Sequence, residues 1–245
     1  MTKIYEALEN AKIEVFQGEP KTYPPRPGAA RSSSTSSGSV MPNEIRVYQA
    51  LASVIPDSTR KVIQFIGSRA GEGTSTVVRE FARVSAAKFG KSVLLLDADQ
   101  RYPTQHLFFH IVPDCGWQEV VRDNRPVEKA FHQIGETKLF VSPSSEYSPS
   151  HPHVYNSLLI DAFLNKLRER FDLILIDSPP VTASTDGLTI SSKVDGVVLV
   201  VEAEKTRWPV AETVREKIKR SGGSILGIVL NKRRFHIPDF LYKRL

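Results

Sequence analysis

The sequence lacks the features of secreted and membrane-spanning proteins. A single cysteine among 245 residues, Cys115, excludes an intramolecular disulfide and fits a reducing compartment. No apolar run approaches the roughly eighteen residues of a transmembrane helix, and residues 1–6 lack the apolar core of a signal peptide. We therefore expect a cytoplasmic protein in which Cys115 is a buried or half-buried thiol.

Acidic residues are fewer than basic ones, 27 against 33, which gives a formal net charge of +6. The excess lies at the C-terminal end, where Asp239 is the only acid among five bases. These bases are Lys232, Arg233, Arg234, Lys243 and Arg244. Such a tail is typical of solvated surface, and it also suits an anionic membrane or an acidic partner. No helix-turn-helix, zinc-finger or aromatic RNA-binding pattern is present, so no nucleic-acid partner is expected.

Hydrophobic residues make up 40% of the chain, which is slightly low for one compact domain and suggests some disordered length. Residues 1–17 predict an amphipathic helix, with Ile4, Leu8 and Val15 on one face. Residues 18–42 are rich in proline and serine and predict a disordered linker. The rest, residues 43–245, predicts one domain that ends in the basic tail.

Apolar runs alternate with amphipathic helices through this domain. The runs are residues 62–67, 92–97, 138–141, 171–177, 196–201 and 225–231. This alternation predicts an α/β fold, a doubly wound and mostly parallel sheet with helices on both faces. In the helix predicted over residues 154–170, the spacing predicts that Leu158, Leu159, Phe163 and Leu167 share the buried face.

A glycine-bearing loop joins the first apolar run to a helix with a hydroxyl-rich start. Gly71 and Gly73 let backbone amides turn inward without a Cβ clash, and the helix start adds partial positive charge. This strand, loop and helix predict a phosphate-binding loop, in which Ser75 would hold Mg²⁺ and Thr76 would either cap the helix or contact a phosphate. The candidate phosphate-binding residues are Ser68, Arg69, Ala70, Gly71, Glu72, Gly73, Thr74, Ser75 and Thr76.

Two positions of this loop depart from the pattern Gly-x-x-x-x-Gly-Lys-[Ser/Thr]. Thr74 stands where the pattern has lysine, and Ser68 stands at the first glycine. The loop therefore keeps its amides and hydroxyls but loses its ammonium group. Arg69 is the only cation within the loop sequence.

Aspartates follow two further apolar runs. Asp97 and Asp99 come at the end of one strand, and Asp177 follows four large apolar residues, which is the Walker B arrangement. Because the carboxyl ends of parallel strands meet at one crevice, we expect these acids to lie beside the loop. Their hard oxygens suit magnesium, so Ser75, Asp97 and Asp177 are the predicted metal ligands.

The segment Leu-Leu-Leu-Asp-Ala-Asp-Gln-Arg at residues 94–101 resembles the Walker A′ motif of BY-kinases, the bacterial tyrosine kinases of capsule and exopolysaccharide systems. Residues 174–180 resemble their Walker B segment, and residues 71–76 their phosphate-binding loop except at Thr74. The resemblance covers about residues 41–231. It lies within the larger MinD/ParA-like group of P-loop NTPases.

The resemblance implies a cytoplasmic domain that binds ATP or ADP with Mg²⁺. It also implies docking, peripheral to the inner membrane, on a Wzz-like chain-length determinant, which is a polysaccharide co-polymerase. In the family, a homo-oligomeric ring comes apart when a C-terminal tyrosine cluster is autophosphorylated. Asp97 or Asp99, with Asp177, would serve catalysis by helping to accept the tyrosine proton and by ordering Mg²⁺, and Asn231 would lie near the adenine.

Three departures from the family pattern weaken the expectation of kinase activity. Thr74 replaces the loop lysine, and Tyr242 is the only tyrosine available as a phospho-acceptor in the tail. The ring motif Glu-x-x-Arg-x-x-Arg is degenerate around Glu44 and Arg46. We expect a regulator of exopolysaccharide synthesis, chain length or export with weakened or absent kinase activity. The alternatives are a MinD/ParA-like ATPase that acts in positioning at a membrane or DNA surface, and a non-catalytic scaffold.

Overall fold

The structure is a computed structural model that describes residues 61–144 and 158–232. The predicted N-terminal helix of residues 1–17 and the linker of residues 18–42 lie outside these ranges. So do the degenerate ring motif around Glu44 and Arg46, and Tyr242.

Seven strands of the described residues form one sheet. They are β1 (Lys61–Gly67), β2 (Val93–Asp97), β3 (His132–Gln133), β4 (Leu139–Ser142), β5 (Leu173–Asp177), β6 (Gly196–Glu202) and β7 (Ile225–Asn231). Their order is β3-β4-β2-β5-β1-β6-β7, and every neighbouring pair is parallel except β3 with β4. The predicted mostly parallel sheet is therefore confirmed, while the short antiparallel strand β3 was not predicted.

Helices connect these strands and cover the sheet. They are α1 (Thr74–Phe89), α2 (Gln105–Phe109), α3 (Trp117–Arg122), α4 (Leu158–Arg168), α5 (Asp186–Ser191) and α6 (Trp208–Arg220), with a 3₁₀ turn at Val127–Ala130. Helix α1 is capped at its C-terminal end by Gly90, whose φ of 63° lies in the left-handed region that favours glycine. None of the described helices has the length and apolar character to cross a membrane.

The central strands are buried on both faces of the sheet. In β2, Leu94 and Leu96 pack in a cluster with side chains of α3 and α4, while Val93 and Leu95 pack in a second cluster with α1. This two-sided burial explains why β2 reads as an unbroken apolar run and not as an alternating one. Cys115 is buried at 6% exposure, as the sequence predicted.

The structure corrects the buried face predicted for α4. Leu158 and Leu159 are 85% and 50% exposed. The side chains that α4 buries are Ile160, Phe163, Leu164 and Leu167. At about 100° per residue, Leu159 and Leu158 lie roughly 90° and 170° from the centre of this stripe. The four-residue spacing of Leu159 and Phe163 misled the prediction, because the stripe begins one residue later.

Candidate functional site

The site lies at the carboxyl edge of the sheet, where three neighbouring strands end. Asp97 at the end of β2 and Asp177 at the end of β5 are directly paired across the two strands. Phe65 of β1 pairs with Asp177 from the other side, and β1 ends two residues later, where the glycine-bearing loop begins. The structure thus brings together the loop and the two aspartates that the sequence placed at separate strand ends.

The glycine-bearing loop is braced from within by Glu72, whose side chain is buried. One carboxylate oxygen, Oε2, accepts the backbone N–H groups of Ser68 at 2.6 Å and Arg69 at 2.9 Å. The other oxygen, Oε1, accepts the hydroxyl of Ser68 at 2.6 Å. The Thr206 hydroxyl, from the connection between β6 and α6, also donates to Oε1 at 2.6 Å. A buried carboxylate needs such donors, and this one fixes the start of the loop.

The end of β7 braces the same loop from outside. Asn231 donates its side-chain amide to the carbonyl oxygen of Glu72 at 2.8 Å, and the Lys232 ammonium donates to the carbonyl oxygen of Gly71. A Cβ on Gly73 would lie 2.1 Å from Asn231 Nδ2, and Gly73 has a φ of 88°. The close approach and the left-handed backbone both require glycine there.

Thr74, the residue at the lysine position, is the first residue of α1. Its hydroxyl oxygen lies only 2.8 Å from where a Cβ on Gly67 would stand, so the side chain folds towards the end of β1. Ser75 is half-buried, whereas Arg69, Ala70 and Thr76 are exposed. The residue that caps the start of α1 is Gly73. The idea that Thr76 caps this helix is therefore wrong.

Asp97 is completely buried and held by backbone amides. Its Oδ1 accepts the N–H of Asp99 at 3.1 Å, and its Oδ2 accepts the N–H groups of Thr104 and Gln105, each at 3.0 Å. The Trp117 indole donates to the Asp97 carbonyl oxygen at 2.7 Å. Asp99 instead closes the turn that follows β2, by accepting amides two and three residues further on. These bonds fix Asp97 as a rigid acceptor at the strand end.

Among the described residues, Asp177 has a hydrogen-bond partner on one carboxylate oxygen and none on the other. The Gln105 side-chain amide donates to Oδ2 at 2.7 Å, while buried Oδ1 has no hydrogen-bond partner among the described residues. A buried carboxylate oxygen of this kind fits Mg²⁺, which prefers oxygen ligands. The described part of the chain holds no group of three or more His, Cys, Asp or Glu side chains that could bind a metal unaided. A divalent ion would therefore also need the Ser75 hydroxyl, water or phosphate oxygens.

Burial raises the pKa of both aspartates. The charge of Asp177 further raises the pKa of Asp97, against the three backbone N–H bonds that lower it. For Asp177, the Gln105 hydrogen bond and the nearby Ser75 hydroxyl oppose the effect of burial on the pKa, and the charge of Asp99 adds to the effect of burial. Two ionised carboxylates that are buried on paired strand positions repel each other, and a divalent cation would relieve that repulsion.

A cavity of about 410 Å³ opens beside the carboxylates. Its lining comes from residues 99–101, which follow β2, and from residues 179 and 181–186, which follow β5. These lining residues directly follow the two aspartate-bearing strands, so the cavity lies at the same edge of the sheet as Asp97 and Asp177.

Sequence reasoning missed two residues of this site, Gln105 and Thr206. Gln105 begins the five-residue helix α2, and Thr206 lies between β6 and α6. Neither segment is long enough for a periodic pattern to mark a side chain as inward-facing. Arg79 was also missed, although a charged residue beside the buried stripe of α1 was a usable signal. It is only 8% exposed, and its Nε donates to Gln105 Oε1 at 3.0 Å.

Comparison with known proteins gives a consistent picture. No protein-family model matches the chain. Tyrosine-protein kinase YwqD of Bacillus subtilis (strain 168) is 30% identical over 190 residues, which cover 78% of this chain and 79% of that protein. Tyrosine-protein kinase CpsD of Streptococcus agalactiae is 32% identical over 177 residues, which cover 70% of this chain and 75% of that protein.

Solved structures agree with these relatives. The crystal structure of the chimerical protein CapA2B2 matches with a TM-score of 0.73 and 25% identity, over 80% of this chain and 87% of that one. The cell division ATPase MinD of Pyrococcus furiosus matches with a TM-score of 0.59 and 24% identity, over 75% and 78% of the two chains, a likeness in fold alone. On the identity and coverage of its relatives, the chain belongs to the family of bacterial tyrosine-protein kinases.

Proposed function

We propose that this protein binds Mg²⁺ with ATP or ADP and regulates the synthesis, chain length or export of a capsule or exopolysaccharide. Its reaction class is phosphoryl transfer from ATP to tyrosine, at a rate weakened by Thr74. The observation that carries the proposal is the direct pairing of Asp97 with Asp177 at strand ends beside a braced loop. Carboxylates and inward-facing amides at one edge of a parallel sheet suit a metal-bound polyphosphate.

Each part of the site has a proposed task. The amides of residues 71–76 would bind the phosphates. The hydroxyl of Ser75 would hold Mg²⁺ together with Asp177 Oδ1, which has no partner among the described residues, aided by Asp97 directly or through water. Bound there, Mg²⁺ would neutralise charge on the transferred phosphate. Asp97 or Asp99 would accept the proton of the incoming tyrosine, for which Tyr242 is the candidate in this chain.

The replacement of lysine by Thr74 is the reason for proposing weak transfer. A lysine at this position would place an ammonium against the phosphates, where charge develops during transfer. The Thr74 hydroxyl points towards the end of β1 and supplies no charge. Nucleotide binding is retained in this proposal because the amides, the hydroxyls and both carboxylates remain.

The proposed partner is a membrane chain-length determinant of the Wzz type, which would hold the protein at the inner face of the membrane. The predicted helix of residues 1–17, on the linker of residues 18–42, is the proposed docking segment. We also propose that the domain of residues 43–245 self-associates, since members of this family assemble through that domain.

Calorimetry with Mg-ATP and Mg-ADP tests the nucleotide site, and autophosphorylation in the presence of the membrane partner tests the reaction. We expect clear binding of both nucleotides and slow phosphorylation that Asp97→Ala abolishes. A melting temperature that no nucleotide raises would favour the non-catalytic scaffold. Fast phosphorylation would refute the weakened kinase, and ATP-driven dimers on liposomes or DNA would favour a positioning ATPase.

A further inference from the structure

Gln105 occupies a central place that the proposed function does not assign. We propose that Gln105 is the positioning residue of the divalent-cation site on Asp177, and that Arg79 sets the orientation of its amide. The proposal rests on the proposed function, since it concerns the metal that accompanies the nucleotide.

Gln105 contacts both aspartates. Its backbone N–H donates to Asp97 Oδ2 at 3.0 Å, and its side-chain Nε2 donates to Asp177 Oδ2 at 2.7 Å. The same Nε2 lies 3.3 Å from the carbonyl oxygen of Ser75, at the start of α1. One residue therefore connects all three predicted metal ligands, which come from three separate elements.

The contacts at the other end of the side chain fix which way the amide points. Gln105 Oε1 accepts the Arg79 Nε–H at 3.0 Å, so the amide nitrogen must face Asp177. The Arg79 guanidinium carbon lies 3.9 Å from the centre of the Phe108 ring, which holds the guanidinium in place. A flipped amide would set oxygen against carboxylate at one end and N–H against N–H at the other.

This orientation divides the two oxygens of Asp177 between two tasks. Oδ2 is occupied by the Gln105 amide, and Oδ1 is left buried without a partner among the described residues. A cation that approaches the carboxylate therefore meets an oxygen held at a fixed position. Removal of a partner that holds a metal-binding side chain in this way commonly lowers metal affinity by about 10- to 100-fold.

A second buried glutamine shows what a purely structural role looks like. Gln118 is 2% exposed, its Nε2 donates to the Ser144 hydroxyl at 2.9 Å, and its Oε1 has no partner among the described residues. Gln105 is fully buried, and both ends of its amide are bonded to charged groups. Burying an amide is unfavourable. An amide whose two ends are both bonded to charged groups is best explained as a device that holds one of those groups in place.

The test compares Gln105→Met with Gln118→Met in the full-length chain. Both variants keep side-chain length and remove a buried amide. Mg²⁺ is titrated into protein saturated with ADP, and ADP affinity is measured separately in EDTA. We expect Gln105→Met to weaken Mg²⁺ binding about tenfold or more with ADP affinity in EDTA unchanged, and Gln118→Met to change neither.

A second pair of variants on α1 tests the role of Arg79. Arg79→Leu should weaken Mg²⁺ binding in the same direction, whereas Arg83→Leu, one turn later and 50% exposed, should not. If the wild-type protein binds Mg-ADP but neither Gln105→Met nor Arg79→Leu lowers the Mg²⁺ affinity, the positioning role is wrong. If the wild-type protein binds no nucleotide, the proposed function itself is wrong. If Gln105→Met does not fold, Arg79→Leu decides the question.

Discussion

Thr74 is the residue that removes from this site the positive charge of an ordinary phosphate-binding loop. The loop keeps its conformation without a lysine, because hydrogen bonds of Glu72 and Asn231 hold its backbone. Neither of these contacts involves the side chain at position 74. The loss of the lysine therefore removes a charge from the site and leaves the architecture of the loop intact.

It follows that restoring the lysine should restore charge without disturbing the fold. We expect Thr74→Lys to tighten Mg-ATP binding by about tenfold or more, since a hydrogen bond to a charged group contributes about 1.5–3 kcal/mol. Autophosphorylation should rise with it. Calorimetry and phosphorylation assays measure the two effects. Leu107→Lys, which adds the same charge at a 63% exposed position of α2 outside the loop, is the control. Equal gains from both variants would mean that net charge alone is responsible.

The paired aspartates make stability depend on pH. In the folded protein the pKa of Asp97 is raised to about 8 and that of Asp177 to about 6, from 3.8. The folded state therefore holds protons that the unfolded state has released, so the free energy of unfolding falls as pH rises from about 4 to 8. The cause is burial of the two acids, augmented for Asp97 by the charge of Asp177.

Asp177→Asn should flatten this pH dependence. The variant removes one buried acid and the charge that raises the pKa of Asp97. In buffer with EDTA at pH 8 we expect the variant to be more stable than the wild-type protein by about 1–3 kcal/mol, at about 1.4 kcal/mol per pKa unit. The difference should shrink towards pH 5. Urea unfolding at several pH values measures it, and parallel profiles for the two proteins would contradict the account.

Helix α4 shows what the spacing of apolar residues can and cannot predict about a buried face. The apolar spacing identified a helix, and it identified Phe163 and Leu167 as buried. It could not choose between Leu159 and Ile160, because the two are adjacent and both apolar. That choice depends on the rotation of the helix about its axis, which packing on the sheet decides.

The corrected face of α4 gives a matched pair of variants. Ile160→Ala removes methyl groups from a side chain that is 3% exposed, and should lower the free energy of unfolding by about 2–4 kcal/mol. Leu159→Ala changes a side chain that is 50% exposed, and should cost less than about 1 kcal/mol. Chemical denaturation of both variants measures the difference. Equal losses of unfolding free energy in the two variants would instead support the buried face that the apolar spacing predicted.

For the whole molecule, the strand order places the site at the most strongly supported part of the sheet. Strand β5 has a parallel partner on each side, β2 and β1, and all five of its residues are buried. Strand β3 has two residues and, among the described strands, pairs only with β4, at one edge of the sheet. The two aspartates are thus attached to rigid strands.

Hydrogen exchange should follow this order. We expect the amides of β5 to exchange most slowly and those of β3 fastest, with β7, the longer strand at the opposite edge, in between. Opening of the central strands requires separation of the sheet, whereas an edge strand can detach alone. Mass spectrometry after deuterium exchange measures the order. Protection of β3 as strong as that of β5 would contradict it.

The sequence by itself determined the alternation of strands and helices, the loop, and the aspartates at strand ends. These features are local, because a run of apolar residues or a glycine fixes the backbone within a few positions. It also determined that position 74 carries no charge. The tertiary structure alone decided that Asp97 faces Asp177, that Glu72 braces its own loop, and that Gln105 joins both acids. Such contacts depend on the register of strands and the rotation of helices, which packing of the whole core sets.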